Sequence, residues 1–496
     1  MKGPERIVFV GNCQIEILYA LFERFISDPR QWVAEYVKSY NPGDAATYAA
    51  IRSADVVIEQ VTEMQSAVDL GDLPDSIVRH RVPLVSGAFL WPFGGQARPD
   101  NPTPWFLPSG PYPAEMGDAF LNRLIDQGCP PQEGLRRYAE LDVPKAANVK
   151  RRLELAIDRQ VSRDQRTGYK FVDEIFETFR VERLFLTPFH LSRRLTSSLA
   201  EQFFSKIGAD RSQIKLISEF AGNWDLFPGD ELPVHPSVCE HFNIQFLTPT
   251  YKYSFLSEGR FSFEEYVLRY LRQEWNPHLA EGTAFRRAGN AHAAVELLKL
   301  GVKISPTSVG GWCELADAHE ELGQFDDAYS AFVTATKVEP DGQRVVPRLS
   351  SYLARVGKIG DAEQLMAGLQ EELCYDSAAL ATHAHCLTEL GRLHEALRAT
   401  ITAARLEPNN PHLAGRLAHL ALRLGRLGLA AHAIRRAIRI RPDLAGFHRT
   451  LAEIYQREGR ALPAIHELKM AAGLAPEEPD ILSELRRLRE LLDIIP

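Results

Sequence analysis

The sequence has no long apolar segment and no excess of positive charge. None of its apolar runs reaches the roughly 20 residues that span a bilayer, and the start, Met1 to Arg6, lacks the apolar core of a signal peptide. The 496 residues include 57 basic and 65 acidic side chains, for a formal net charge of -8. The cationic surface that nucleic acids require is therefore missing. These absences predict a cytoplasmic protein with no transmembrane segment and no nucleic-acid partner.

Cysteine is also sparse and unpaired. The six cysteines form no CxxC pair and no close group, and they stand at positions 13, 129, 239, 313, 374 and 386. A disulfide framework or a zinc site is therefore not expected, and we predict no metal. Apart from Cys13, these residues are best interpreted as reduced thiols that pack like small apolar side chains.

What the sequence does contain is a repeat of 34 residues in its C-terminal part. Glycines recur at this spacing, at Gly289, Gly323, Gly357, Gly391, Gly425 and Gly459. An alanine follows each glycine by five residues, at Ala294, Ala328, Ala362, Ala396, Ala430 and Ala464. A proline follows by seventeen, at Pro306, Pro340, Pro408, Pro442 and Pro476, whereas the third repeat has Cys374. This period and pattern resemble the tetratricopeptide (TPR) repeat.

The repeat predicts an all-α solenoid of six helix pairs at residues 276–496, with 480–494 as a polar capping helix. Alanine permits close approach of the paired helices, and proline ends the second one. The concave groove of such arrays usually binds a peptide, a helix or another protein. Four arginines of the fifth repeat form either an anion-binding stripe, for an acidic partner or for peripheral association with a membrane assembly, or a solvated helix face. They are Arg435, Arg436, Arg439 and Arg441.

Residues 1–275 have a different pattern and predict a separate α/β domain. Apolar, β-branched runs predict strands at 6–10, 55–59, 82–85 and 183–186, with helical segments between them. This alternation is typical of a mainly parallel sheet. Ligands of such sheets bind beyond the carboxyl ends of the strands.

Cys13 lies at one of these strand ends, in Gly11-Asn12-Cys13-Gln14, and it begins a helix. The positive end of a helix favours a thiolate over a thiol, and the following amides could hold a developing oxyanion. The alternative is a cysteine that only packs.

The tetrapeptide resembles the GNCQ signature of the WcbI-type polysaccharide biosynthesis family, and looser likeness continues at 55–60, 184–190 and 262–266. The resemblance implies an α/β domain similar to the SGNH hydrolases that binds coenzyme A and transfers acetyl groups in capsule assembly. It also implies that Cys13 takes the place of the nucleophile. The sequence departs from the Asn-His-Pro that the family would have at Phe189-His190-Leu191.

Two histidines compete for the role of general base that the resemblance implies. His190 follows the fourth predicted strand, and His235 stands in Pro233-Val234-His235-Pro236. Either could instead be a satisfied structural residue. A carboxylate, Asp225 or Asp230, could orient the histidine, although turn chemistry explains both equally well.

The remaining candidate residues would bind the cofactor. Gly11 would let a substrate approach the backbone, and Asn12 and Gln14 would position the acyl carbonyl. Arg193 and Arg194, one turn beyond His190, are either phosphate ligands of coenzyme A or ordinary surface arginines.

The segment 91–113 is rich in proline, glycine and aromatic residues, so we expect an ordered loop. It is either a wall for a sugar acceptor or an adenine, or a lid that packs on the sheet.

The leading hypothesis is an acyl-coenzyme A dependent O-acetyltransferase that acts on a saccharide, with acetyl-coenzyme A as donor and the repeats recruiting a protein partner. Whether the acyl group passes through Cys13 or directly to the sugar stays open. The alternatives are a non-catalytic module that binds coenzyme A or a nucleotide on a repeat scaffold, and an SGNH-like esterase.

Overall fold

The computed structural model describes residues 4–28, 30–41, 43–63, 67–71, 73–227, 229–339, 344–368 and 375–493. Its contacts divide the chain into two compact units, Met1–Asp341 and Gly342–Pro496. The predicted boundary between residues 275 and 276 falls inside the first unit. Pro340, Cys374 and Ile494, which the repeat pattern singled out, lie outside the described residues.

A four-stranded sheet forms the centre of the α/β part of the first unit. Its strands are β1 (Glu5–Gly11), β2 (Trp32–Lys38), β3 (Val56–Val61) and β4 (Val78–Pro83). All neighbours pair in parallel, in the order β2-β1-β3-β4. After β1 the chain forms β2 on one side of that strand and then crosses back to form β3 on its other side. Because the strand order reverses at β1, a crevice lies between the carboxyl ends of β1 and β3. The predicted parallel α/β sheet is confirmed.

Three details of the strand prediction are wrong. The strand predicted at 82–85 begins four residues earlier and spans Val78–Pro83. The segment 183–186 is not a strand of the sheet, because the chain reverses around Pro188 and pairs with itself. Leu186 N–H donates to the His190 carbonyl (2.9 Å), which leaves a single bridge between Phe185 and Leu191. Strand β2 was missed because it is an edge strand of mostly half-buried residues and has no continuous apolar run.

Helices cover the sheet and continue into the first two repeats. In the described part of the first unit they are α1 (Cys13–Phe25), α2 (Ala45–Arg52), α3 (Ala119–Asp126), α4 (Pro131–Ala139), α5 (Val143–Ala146), α6 (Val149–Thr167), α7 (Val172–Thr178), α8 (Arg193–Lys206), α9 (Arg211–Asn223), α10 (Pro236–Phe242), α11 (Phe263–Leu271), α12 (Pro277–Arg287), α13 (Ala291–Ile304), α14 (Val309–Glu321) and α15 (Phe325–Val338). A hairpin of β5 (Tyr253–Phe255) and β6 (Gly259–Phe261) precedes α11. Phe9 of β1 packs against Phe22 of α1 and Phe203 of α8, which fixes α1 on the sheet.

The second unit is helical. Its described helices are α16 (Val346–Arg355), α17 (Ile359–Ala367), α18 (Ser377–Glu389), α19 (Leu393–Leu406), α20 (Pro411–Arg423), α21 (Leu427–Ile440), α22 (Ala445–Arg457), α23 (Ala461–Leu474) and α24 (Pro479–Asp493). No helix in the described residues of either unit is long and apolar enough to cross a membrane.

The repeat pattern has two separate physical causes. The turn glycines have φ between 69° and 83°, and open space surrounds the position of a Cβ, so glycine is needed for its backbone conformation. The alanines five residues later are fully buried, because the paired helices meet there. The predicted TPR helices are therefore confirmed.

The arginines of the fifth repeat have partners within the second unit. Arg441 pairs with Asp443 (2.6 Å), Arg435 donates to the Tyr455 hydroxyl (3.2 Å), and Arg436 donates to the Pro408 carbonyl. These contacts favour the interpretation of a helix face over that of an anion-binding stripe.

The first helix pair is joined to the α/β part by a buried polar network. Asn276, only 2% exposed, donates its backbone N–H to Glu258 (2.6 Å) and its amide to the Gly301 carbonyl and the Ser305 hydroxyl (2.8 Å each). Trp105 contacts Phe285 of α12 with ring centroids 5.8 Å apart. The α/β part and the first helix pair therefore share a core.

Ending the chain at residue 275 should destabilise the α/β part more than ending it at residue 341. The shorter chain leaves Glu258 buried without the Asn276 N–H, and each lost partner of this kind costs about 1–3 kcal/mol. We expect a thermal midpoint lower by several degrees for residues 1–275, measured by circular dichroism. Equal midpoints for the two truncated chains would show that the network contributes nothing.

Candidate functional site

The turn between β1 and α1 lies at the crevice of the sheet and is fixed by two amide side chains. Asn12 caps α1, since its Oδ1 accepts from Gln14 N–H (2.9 Å). Gln60 of β3 donates to Asn12 Oδ1 and accepts from Asn12 N–H, both at 3.0 Å. A Cβ on Gly11 would lie 2.2 Å from Ile15 Cγ1, so the glycine lets α1 pack closely on its strand. These contacts hold Cys13 at the first position of α1.

Gln14 ties this turn to two distant backbone segments. Its side chain is fully buried and donates to the carbonyls of Val85 (2.6 Å) and Phe189 (2.9 Å). Its Oε1 accepts from Val85 N–H (3.1 Å). The amide predicted to position an acyl carbonyl instead binds the backbone. It connects the turn that carries Cys13 with the segment immediately before His190.

The expectation of a Cys13 thiolate is wrong. The residue is half-buried, and burial, reinforced by the nearby carboxylates of Glu115 and Glu16, raises the pKa of its thiol to about 12. The backbone N–H of Gln14 acts in the opposite direction but is outweighed. Cys13 is therefore a protonated thiol at neutral pH. The helix terminus alone predicts the reverse, because it ignores desolvation and charges that come from elsewhere in the chain.

His190 follows the chain reversal and stacks on Phe227, with ring centroids 5.2 Å apart. Burial lowers the pKa of its imidazole to about 4, so the ring is neutral at pH 7. Its Nδ1 is buried and has no hydrogen-bond partner among the described residues. A neutral imidazole can accept a proton from a substrate hydroxyl, but here that role would fall to Nε2, because the enclosed Nδ1 is out of a substrate's reach.

His235 has a different environment. Its Nδ1 lies 2.8 Å from the Ser237 hydroxyl and its Nε2 2.8 Å from the Tyr138 carbonyl. The ring packs edge-on against Tyr138 and Phe263, and burial lowers its pKa. With both nitrogens hydrogen-bonded, His235 caps α10 and stabilises the fold. Of the two candidate histidines, it is therefore His190 that is connected to the turn carrying Cys13, through the hydrogen bond from Gln14 to the neighbouring Phe189.

Arg193 and Arg194 are both neutralised by carboxylates. Arg193 forms two hydrogen bonds of 2.7 Å with Asp225, and Arg194 pairs with Glu182 and more distantly with Glu174 (3.6 Å). The Asp225 carboxylate, considered above as a partner for a histidine, therefore binds an arginine. Asp230 is half-buried and its carboxylate accepts from Leu256 N–H, while desolvation raises its pKa. Neither arginine is poised for a phosphate without first giving up an ion pair.

The two ends of the aromatic loop at 91–113 pack into the fold, whereas much of its middle is exposed. Trp91 is buried, and its indole N–H donates to the carbonyls of Leu232 (3.2 Å) and Pro233 (3.1 Å). Tyr112 is also buried and stacks on Phe255. Trp105, in contrast, is 65% exposed. The ends of the loop therefore match the interpretation of a packed lid, whereas its middle leaves the interpretation of a ligand wall open.

A cavity of about 270 Å³ lies beside the segment that follows His190, although His190 itself is not among its lining residues, and we call it the Trp224 cavity. Its lining includes Leu191 and Ser192, which follow His190, together with Phe227, Trp224 and the paired Arg193. An aromatic face beside polar groups of balanced charge suits a sugar ring.

A second cavity, of about 380 Å³, lies beside Ser86 and was not predicted. Four arginines of α6 line it, at Arg151, Arg152, Arg159 and Arg163, and we call it the arginine pocket. Three of them stand at i, i+7 and i+11, a helical spacing that places them on one face. This spacing is the sequence signal from which the arginine pocket could have been predicted. Within the described residues, no group of three or more His, Cys, Asp and Glu side chains could hold a metal ion.

Comparisons with known proteins agree with this architecture. Residues 6–212 match the family model of the polysaccharide biosynthesis enzyme WcbI, and residues 309–341 and 383–479 match tetratricopeptide repeat models. No curated protein matches the chain.

Among solved structures, PilW, described as a widely conserved type IV pilus biogenesis factor, is 17% identical, with a TM-score of 0.39 over 42% of this chain and 97% of that one. YrrB, described as a TPR protein with an unusual peptide-binding site, is 12% identical, with a TM-score of 0.35 over 39% and 99%.

Proposed function

We propose that this chain, which joins a domain of the WcbI family of polysaccharide biosynthesis enzymes to tetratricopeptide repeats, transfers an acetyl group from acetyl-coenzyme A to a saccharide hydroxyl. One observation carries the proposal. The buried side chain of Gln14 hydrogen-bonds to Phe189, so a thiol and a neutral imidazole belong to one edge of the sheet. That edge is where ligands of parallel sheets bind.

The protonation states support direct transfer to the sugar. Forming a Cys13 thiolate at pH 7 from a thiol with a pKa of about 12 would cost on the order of 7 kcal/mol. Neutral His190, in contrast, is already in the form that accepts a proton. Direct transfer therefore avoids the free-energy cost of ionising the Cys13 thiol.

Each residue then has a defined task. The acyl donor, as a substrate, brings a thioester. His190 accepts the proton of the saccharide hydroxyl as the new C–O bond forms and the C–S bond breaks, and it returns that proton to the leaving sulfur. The protonated Cys13 thiol donates a hydrogen bond toward the thioester oxygen, where negative charge develops. The Trp224 cavity, which is lined by Leu191 and by Phe227, the ring partner of His190, would hold the sugar. The tetratricopeptide repeats indicate a protein partner, and we propose that they recruit the domain to an assembly complex.

Binding and turnover of acetyl-coenzyme A test the proposal. The full chain should bind coenzyme A in calorimetry and should release its free thiol only when a saccharide acceptor from a panel is added. Absence of binding at millimolar concentration would remove the acetyltransferase. Binding without acceptor-dependent release would leave a binding module. Hydrolysis of p-nitrophenyl acetate without coenzyme A would favour the esterase.

Cys13→Ala distinguishes direct from covalent transfer. Because the thiol only donates a hydrogen bond in direct transfer, we expect the variant to lose about tenfold in kcat, the scale of one hydrogen bond of ~1.4 kcal/mol. Cys13→Ser, which keeps a donor, should lose less. An acetylated Cys13 detected by mass spectrometry, or loss of all turnover in both variants, would contradict direct transfer.

A further inference from the structure

The arginine pocket concentrates positive charge that the described residues neutralise only in part. No acidic side chain is among its described lining residues. Arg159 is exposed and forms no direct ion pair or hydrogen bond in the described part of the chain, although the Glu63 carboxylate attracts it at longer range. Within the described residues, Arg152 donates only to the Ala147 carbonyl (3.0 Å), which is neutral and leaves the positive charge without a carboxylate partner there. Two of the four arginines are therefore available to an anion.

The other two arginines are paired. Arg163, with its side chain 8% exposed, binds Glu63 (3.0 Å from Nε to Oε2) and donates to the Leu84 carbonyl (2.8 Å). It anchors α6 to the end of β4. Arg151 pairs with Glu154 on the surface (3.0 Å). Arg163 thus fixes the helix face on which Arg152 and Arg159 lie.

The amino end of α6 adds to the positive potential. Asn148 caps the helix, and both Ala147 and Asn148 line the pocket. The positive end of the dipole of this 19-residue helix therefore lies beside the pocket, although Val149 and Lys150, which carry its first amides, are not among the lining residues.

The pocket also adjoins the candidate active site through one loop. Ser86, on its wall, directly follows Val85, which hydrogen-bonds to Gln14. Ser86 donates from its hydroxyl to the Pro188 carbonyl (3.1 Å), and Gly87 N–H donates to the same atom (3.0 Å). A ligand that spans this loop has one end at the arginines and the other near Cys13 and His190.

We propose that the arginine pocket binds the phosphate groups of the acyl donor, with Arg152 and Arg159 as direct ligands. This inference rests on the proposed function, since coenzyme A carries a pyrophosphate and a further phosphate at the end remote from its thioester. A phosphorylated saccharide has the same chemistry. The donor is favoured because the Trp224 cavity, with its paired charges, suits the acceptor. Guanidinium groups bind phosphate oxygens in a bidentate manner, which makes arginine suited to this role.

Coenzyme A binding to Arg159→Glu in the full chain tests the inference, with Arg166→Glu as the matched control. Arg166 lies on the same helix and is exposed, but it does not line the pocket, so both variants change the net charge equally. We expect calorimetry at low salt to give a Kd at least tenfold higher for Arg159→Glu and changed less than twofold for Arg166→Glu. Pantetheine, which has the thiol arm without phosphates, should bind both variants like the unsubstituted protein.

Equal effects of the two substitutions on coenzyme A, or an equal loss of pantetheine binding in Arg159→Glu, would overturn the pocket while the proposed function stands. If the unsubstituted protein binds no coenzyme A, the proposed function fails and the donor is excluded as the ligand. Calorimetry with inorganic pyrophosphate and with UDP-glucose would then show whether the pocket binds phosphate groups at all. If Arg159→Glu, but not Arg166→Glu, weakens the binding of either compound, the pocket is assigned to a phosphorylated saccharide. If neither compound binds, the phosphate site is rejected.

Discussion

Replacing Gln14 by leucine should lower the free energy of unfolding of the first unit by about 3–5 kcal/mol. The substitution leaves Val85 N–H and the carbonyls of Val85 and Phe189 without their partner in a fully buried place. Each such orphaned group costs about 1–3 kcal/mol. All six tryptophans lie within residues 1–341, at 32, 91, 105, 224, 275 and 312. Urea unfolding followed by tryptophan fluorescence therefore reports on this unit.

Gln202→Leu is the matched control for this change. Gln202 likewise accepts from a backbone N–H and donates to a carbonyl, both of Lys170 (2.9 and 3.3 Å), but it is half-exposed. Water can replace its contacts, so we expect a loss below about 1 kcal/mol. Similar losses for the two variants would mean that the Gln14 network does not organise the crevice. Turnover of folded Gln14→Leu should also fall, because Phe189 and His190 are no longer held beside the Cys13 turn.

His190→Ala should reduce acetyl transfer by about 10²–10⁴-fold while coenzyme A still binds, because a general base contributes this much. The expected pH profile is unusual for a histidine. The pKa of His190 is lowered to about 4 and that of Cys13 is raised to about 12, so neither group titrates between pH 5 and 9. We expect a flat rate over this range, measured by release of the coenzyme thiol. An inflection near 6.5, the ordinary pKa of histidine, would contradict the buried neutral ring.

His235→Gln is the control for this prediction. Its ring bonds Ser237 and Tyr138, so the substitution should lower the thermal midpoint and leave kcat of the folded protein within about threefold, less than one hydrogen bond of transition-state stabilisation. A larger loss of turnover in His235→Gln than in His190→Ala would reverse the two assignments.

The lowered pKa of His190 also makes the first unit less stable at acid pH. The unfolded chain takes up a proton below about pH 6.5, whereas folded His190 does so only near 4. Stability is therefore complete above 6.5 and declines as the pH falls toward 4, by about 3 kcal/mol from this residue. His190→Ala should show a smaller decline over that range.

The sequence by itself determined the features that depend on neighbouring residues. The repeat was readable because each glycine needs only its own positive φ, and each alanine only the helix that follows it in the chain. The parallel sheet followed from apolar runs that alternate with helices. The turn at Cys13 was recognisable because strand, turn and helix are contiguous.

The tertiary structure decided the chemistry of those residues. Gln14 meets partners 71 and 175 positions away, and the pKa of Cys13 is raised by burial and by Glu115, about a hundred residues along the chain. The same kind of long-range packing occupies both nitrogens of His235, neutralises Arg193 and gathers the arginines of α6 beside Ser86. Desolvation and charge act through space, so a local pattern can place a thiol at a helix start but cannot tell which distant groups surround it.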